Sequence, residues 1–65
     1  MHMHKLHIPD MSCDHCVLRI REALESEGAK IAQIDLKTKE VTLETLQIDP
    51  ILEILEDIGY PAILL

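Results

Sequence analysis

The sequence predicts an α+β domain: a four-stranded antiparallel sheet with two helices on one face, in the order βαββαβ. Three observations lead there. Apolar residues alternate with polar ones near the start and in two adjacent middle stretches, and a short apolar run closes the chain. Between them lie two stretches with apolar residues at helical spacing, each followed by one of the two glycines. Finally, 65 residues with 48% hydrophobic content have room for one small core, so residues 1–65 read as one domain.

The first strand is expected over His2 to Ile8, with His4, Leu6 and Ile8 on one side and Lys5 and His7 on the other. Pro9 and Asp10 stop it, because proline lacks the N–H that a ladder needs. The first helix runs from about Asp14 to Glu27. Cys16, Val17, Ile20, Ala23 and Leu24 form its apolar stripe, and Arg19, Glu22 and Glu25 lie opposite. Ser12 or Asp14 is the expected cap, and Gly28 the stop. A hairpin comes next. Ala32, Ile34 and Leu36 form one buried row, Val41 and Leu43 the other, with the polar turn KTKE between them. Asp49 as cap and Pro50 at the first helical position open the second helix. Its stripe is Ile51, Ile54, Leu55 and Ile58, and Gly59 ends it. The run AILL supplies a last strand. The order is that of a ferredoxin-like open-faced sandwich.

Composition excludes several function classes. A net charge of −6 argues against nucleic acid, whose binding relies on Lys and Arg neutralising phosphates. It equally disfavours anionic lipid, and no apolar run approaches the ~18 residues that span a bilayer. The start, MHMHKLHIPD, has no apolar run like that of a secretory leader, which points to a cytoplasmic, reducing location. The start at Met1 and the lack of a linker favour a free-standing protein. In a reducing compartment the two cysteines, Cys13 and Cys16, are there to react or to ligate rather than to form a structural disulfide.

The predicted topology puts Cys13 on the loop before the first helix and Cys16 in its first turn. Unpaired N–H groups and the helix dipole favour negative charge there, and so favour thiolates. Thiolates are ligands for soft metals. Zinc generally takes four protein ligands, or three and a water, whereas the motif supplies two. Cu(I) accepts two thiolates in a near-linear arrangement and leaves room for an incoming third. Open coordination on an exposed loop suits a carrier.

The stretch MSCDHC resembles the M-x-C-x-x-C motif of the heavy-metal-associated domain. That domain occurs in small cytosolic copper chaperones and in N-terminal modules of copper-transporting P-type ATPases. The resemblance covers essentially the whole chain, including element order, length and Gly59-Tyr60 after the second helix. It implies that Cys13 and Cys16 are the metal ligands, that Met11 is a buried prop of the loop, and that Tyr60 lies near the site and tunes its hydrogen bonding. It further implies a cytoplasmic, non-enzymatic copper chaperone that hands Cu(I) by ligand exchange to a metal-binding domain of a P-type ATPase. A metal-bridged dimer is compatible with this. Zn(II) or Hg(II) binding is the alternative. A thiol-disulfide redox role fits less well: thioredoxin-like chains need about a hundred residues, and here Ser12 stands where they usually carry an aromatic. The family usually has Gly before the Met. This chain has Asp10, whose carboxylate is expected to oppose thiolate formation and to favour a divalent ion.

The remaining candidates have plainer readings. His15 reads as a solvated surface histidine, with auxiliary ligation as the alternative, and Asp14 as a favourable helix-start charge. His7 reads as exposed. The MHMH start raises a second metal site from the α-amine, His2 and His4; against it, termini fray and both histidines share the parity of the core-facing residues. Arg19 and Arg21 lie near the motif, while Glu53, Glu56 and Asp57 cluster on the second helix. An acidic partner domain meeting the arginine side fits that asymmetry.

Overall fold

The computed structural model describes residues 2–65. Strand β1 (His2–His7) leads through a loop to helix α1 (Asp14–Ser26). Strands β2 (Lys30–Asp35) and β3 (Glu40–Thr45) come next, then α2 (Asp49–Asp57) and the short β4 (Ile63–Leu64). The four strands form one antiparallel sheet in the order β2-β3-β1-β4, which is the expected ferredoxin-like arrangement.

Residues paired across antiparallel strands share a face. The pairs Leu6–Val41 and His4–Leu43 therefore mark the helix side, and Lys5–Thr42 and His7–Glu40 the open side. Leu6, Ile8, Val41 and Leu43 are fully buried against Ile20, Leu24, Ile51 and Leu55 of the helices. On the open side Lys5 Nζ meets Glu40 Oε1 at 3.4 Å, an ion pair at the surface of small worth.

Both helices end in the same way. Gly28 N donates to Glu25 O and Ala29 N to Leu24 O; Gly59 N donates to Glu56 O and Tyr60 N to Leu55 O. These are Schellman motifs, which need a left-handed residue after the helix, and the glycines supply φ of 80° and 89°. The second motif matters for the site, because it turns Tyr60 back toward α1.

The helix starts differ from expectation. Cys13, extended at φ −151°, holds the N-cap position of α1 and makes no side-chain cap bond; neither Ser12 nor Asp14 caps it. Asp14 contributes its charge to the first turn instead. Likewise Asp49 is the first helical residue of α2, and Ile48 is the cap.

One buried row also shifts. A bulge between Ile31 and Gln33 puts Ile31 opposite Leu43 and Ile34 opposite Val41. Ile31 and Ile34, an odd step apart, then both pack on the core, while Ala32 is exposed. Leu36 falls in the turn rather than the strand, though still against the core. On α2, Leu52 packs against the core in place of the expected Ile54.

The β2–β3 turn is fastened to the β1–α1 loop. Asp35 Oδ1 accepts from the backbone N of Lys37 (2.9 Å) and of Thr38 (3.4 Å). Lys39 then takes φ +60°, a left-handed conformation unfavourable for a side chain with a Cβ. Two bonds accompany that conformation: Ile8 N donates to Lys39 O (2.8 Å) and Lys39 Nζ to Pro9 O (3.0 Å).

Met11, in the motif itself, is fully buried. Met11→Ala should cost about 2–5 kcal/mol in chemical denaturation, whereas Met11→Leu should cost less than about 1.5 kcal/mol. Equal, negligible losses for both would show that this side chain does not anchor the loop.

Candidate metal centre

The loop that carries the cysteines is pinned at its two apolar residues. Ile8 and Met11 are both fully buried, and Met11 N donates to Ile8 O at 3.1 Å, so the chain folds tightly around Pro9 and Asp10. The next residues are forced outward: Ser12, Cys13, Asp14 and His15 are exposed. Val17 N donates to Cys13 O (3.1 Å), the first bond of α1, and within the first turn of this helix Cys16 sits half-buried at the core's edge.

The two sulfurs stand 3.1 Å apart. That is well beyond the ~2.05 Å of a disulfide, and both cysteines are free. Either sulfur can donate to the other. The Cys16 thiol is brought down from 9.0 to about 7. The strongest cause is the Tyr60 hydroxyl acting as a hydrogen-bond donor to its sulfur; Cys13 and the backbone at Ser12 and Cys13 add to it, against a smaller opposing effect of burial. The reciprocal cost falls on Tyr60, whose hydroxyl is pushed up mainly by that same bond, with Arg19 pulling the other way. At neutral pH Cys16 therefore carries more thiolate than an ordinary cysteine does.

Asp10 is not among the groups that set the Cys16 value, so the expected opposition of its carboxylate to the thiolate is not found there. Asp10 is exposed and stands on the far side of the buried Met11 in the chain. The expectations for Met11 and Tyr60 hold: Met11 is core, and Tyr60 acts on the pair. His15 is exposed. Among the described residues no three of His, Cys, Asp and Glu gather into one coordination sphere. The α-amine of the suggested amino-terminal site belongs to Met1, outside the described residues.

Chemically, the arrangement offers two sulfur donors, one with a lowered pKa, on an exposed loop. One surface groove, between Gly28, Thr45 and Pro50, lies away from the pair, and another, between Asp14, Val17, Arg21 and Leu36, adjoins the cysteine loop without either cysteine lining it. Cys13 is exposed, so an ion or a partner sulfur can meet the pair directly from solvent. Sequence reasoning did not supply Ser12 as a backbone contributor or Arg19 as the charge acting on Tyr60. The first is a property of backbone geometry, with no side-chain signature. The second arises from the Schellman turn that sets Tyr60 near α1.

Comparison with known proteins agrees with this fold. The model of the heavy-metal-associated domain matches residues 5–61. A probable copper-exporting P-type ATPase of Archaeoglobus fulgidus is 37% identical over 57 residues, or 88% of this chain. The chain spans only 7% of that relative's length. Among solved structures, a heavy metal binding protein from Thermotoga maritima superposes with a TM-score of 0.86 at 41% identity, covering 94% of this chain and 91% of that one. A copper chaperone from Synechocystis gives 0.81 at 26% identity, covering 91% and 97%. No helix among the described residues is long and apolar enough to cross a membrane.

The thiol titration can be read directly from thiolate ultraviolet absorbance. Tyr60→Phe removes the donor, so the Cys16 midpoint should rise from about 7 toward 9.0, and less thiolate should be present at neutral pH. Asp10→Gly should leave the midpoint where it is. An unchanged midpoint in Tyr60→Phe, or a clear drop in Asp10→Gly, would contradict this assignment of causes.

Proposed function

This chain belongs to the heavy-metal-associated domain family, and we propose that it binds one Cu(I) between Cys13 and Cys16 and passes the ion on by thiolate exchange. The observation that carries the reading is the pair of free sulfurs, 3.1 Å apart on an exposed loop, one of them ionising near neutral pH. Soft thiolates select Cu(I), and a low thiol pKa lets the ion displace a proton without strongly acid or basic conditions.

Geometry adds a constraint on loading. With metal–sulfur bonds of about 2.3 Å, sulfurs about 3.8 Å apart span a tetrahedral ion and about 4.6 Å a linear one. A linear Cu(I) thus requires the pair to open by about 1.5 Å. Cys13 suits that movement: it is exposed, lies outside the helix, and its side chain makes no cap bond. Cys16, in the first turn and packed at the core's edge, is the fixed point. Zinc would want further protein donors, and among the described residues none joins the pair.

Release needs no change of oxidation state. A thiolate of the receiving domain places its lone pair on copper and forms a third copper–sulfur bond. One of the two original bonds then breaks, its electron pair staying on that sulfur, which takes a proton from solvent; a second exchange completes the transfer. No substrate bond is cleaved, so the chain acts as a carrier and not as an enzyme. The likeness to part of a copper-exporting ATPase supports a metal-binding domain of such a transporter as the receiver. Arg19, exposed and close enough to act on Tyr60, offers an acidic receiver a charge at the rim of the site. A reducing compartment such as the cytoplasm keeps both sulfurs available.

Anaerobic competition against a Cu(I) chelator and, separately, a Zn(II) chelator tests the choice of ion. We expect one Cu(I) per chain, held far more tightly than Zn(II), and loss of that binding in the Cys13→Ser/Cys16→Ser double variant with an unchanged far-ultraviolet circular dichroism spectrum. Preference for Zn(II), or undiminished Cu(I) binding in the folded double variant, would overturn the proposal.

A further inference from the structure

The amino-terminal histidines remain unused by the site above, and the structure gives them a definite arrangement. His2 and His4 both lie within β1, opposite Thr45 and Leu43 of β3, so the segment is held in the sheet rather than frayed. Being two apart on a strand they point to the same face, with Cα atoms about 6.8 Å apart. Their parity is that of core residues, yet His2 is exposed and His4 only half-buried, although Thr45 and Leu43 opposite them on β3 are buried. Among the described residues neither imidazole takes part in a side-chain hydrogen bond or ion pair.

We propose that His2 and His4 form a second metal site, a two-imidazole chelate for a borderline divalent ion of the Ni(II), Cu(II) or Zn(II) class. Neutral imidazole is a ligand of choice for these ions, and two such rings on one strand face can close on one ion with metal–nitrogen bonds of about 2.0–2.1 Å. No third His, Cys, Asp or Glu joins them among the described residues, so water fills the remaining positions and the ion exchanges readily. His7, the other histidine of the strand, stands opposite Glu40 on the reverse face and takes no part. The site lies at the start of β1, whereas the sulfur pair comes after the strand's far end. The inference does not rest on the sulfurs.

Titrating the full chain with Ni(II) alone, followed by NMR of the histidine side chains, tests it residue by residue. The His2 and His4 imidazole signals should broaden together at one equivalent, before those of His7 and His15. Loss of a group that merely orients a metal ligand commonly costs about 10–100-fold in affinity, so loss of a ligand itself in His4→Gln or in the exposed His2→Gln should weaken this binding at least about tenfold. His7→Gln should leave it unchanged. Equal weakening by His7→Gln, or no weakening by either His2→Gln or His4→Gln, would overturn the proposal. So would loss of binding on amino-terminal acetylation with none in His4→Gln, since the ion would then be held by the α-amine and His2.

Discussion

The site depends on the burial of Ile8 and Met11 on either side of Pro9-Asp10. Both side chains are withdrawn completely from solvent, and the backbone between them closes on itself through the bond from Met11 N to Ile8 O. Because two anchors only three residues apart are fixed in the core, the segment after them has one way to go, outward and into the first turn of α1. A second brace acts from the β2–β3 turn, where Lys39 holds the carbonyl of Pro9 and accepts the N–H of Ile8. That Lys39 does so from a left-handed backbone conformation shows that the brace is maintained against a local cost. In a small domain with an all-aliphatic core, this is how an exposed loop keeps a definite shape.

On that frame the electrostatics of the pair are set by where three elements end. The start of α1 brings backbone N–H groups toward Cys16, Cys13 adds its own sulfur, and the end of α2 delivers the Tyr60 hydroxyl. The last of these is the largest influence and also the most remote in sequence. It reaches the sulfur because Gly59 adopts a conformation that reverses the chain immediately after α2. The turn that closes one helix thus sets Tyr60 beside a thiol on another.

Much of the fold is legible in the sequence because each element carries its own periodic signal and its own stop. The two glycines mark both helix ends, and the alternation around Leu6 and around Val41 and Leu43 marks the central strands. The departures share one origin. Alternation assigns Ala32 to the core row because it assumes an unbroken ladder, and a bulge at Ile31/Gln33 leaves no mark in hydropathy. Ser12, Asp14 and Asp49 have the chemistry of caps, whereas a cap also needs the side chain to turn back on the helix, which is settled by the path of the loop. The cysteine pair is legible from spacing and topology. Its tuning is less so: the opposition expected of Asp10 assumes that nearness in sequence means nearness in space, and the buried Met11 intervenes between Asp10 and the sulfurs.

The central claim is that a single soft ion is held by these two sulfurs and nothing else, so that a third can intrude. X-ray absorption spectroscopy of the Cu(I)-loaded chain at the copper edge tests it most directly. The account predicts two sulfur neighbours per copper, no nitrogen or oxygen bound to the metal, and a near-edge profile of low coordination. Four donors around the copper, or a set containing histidine nitrogen, would contradict it.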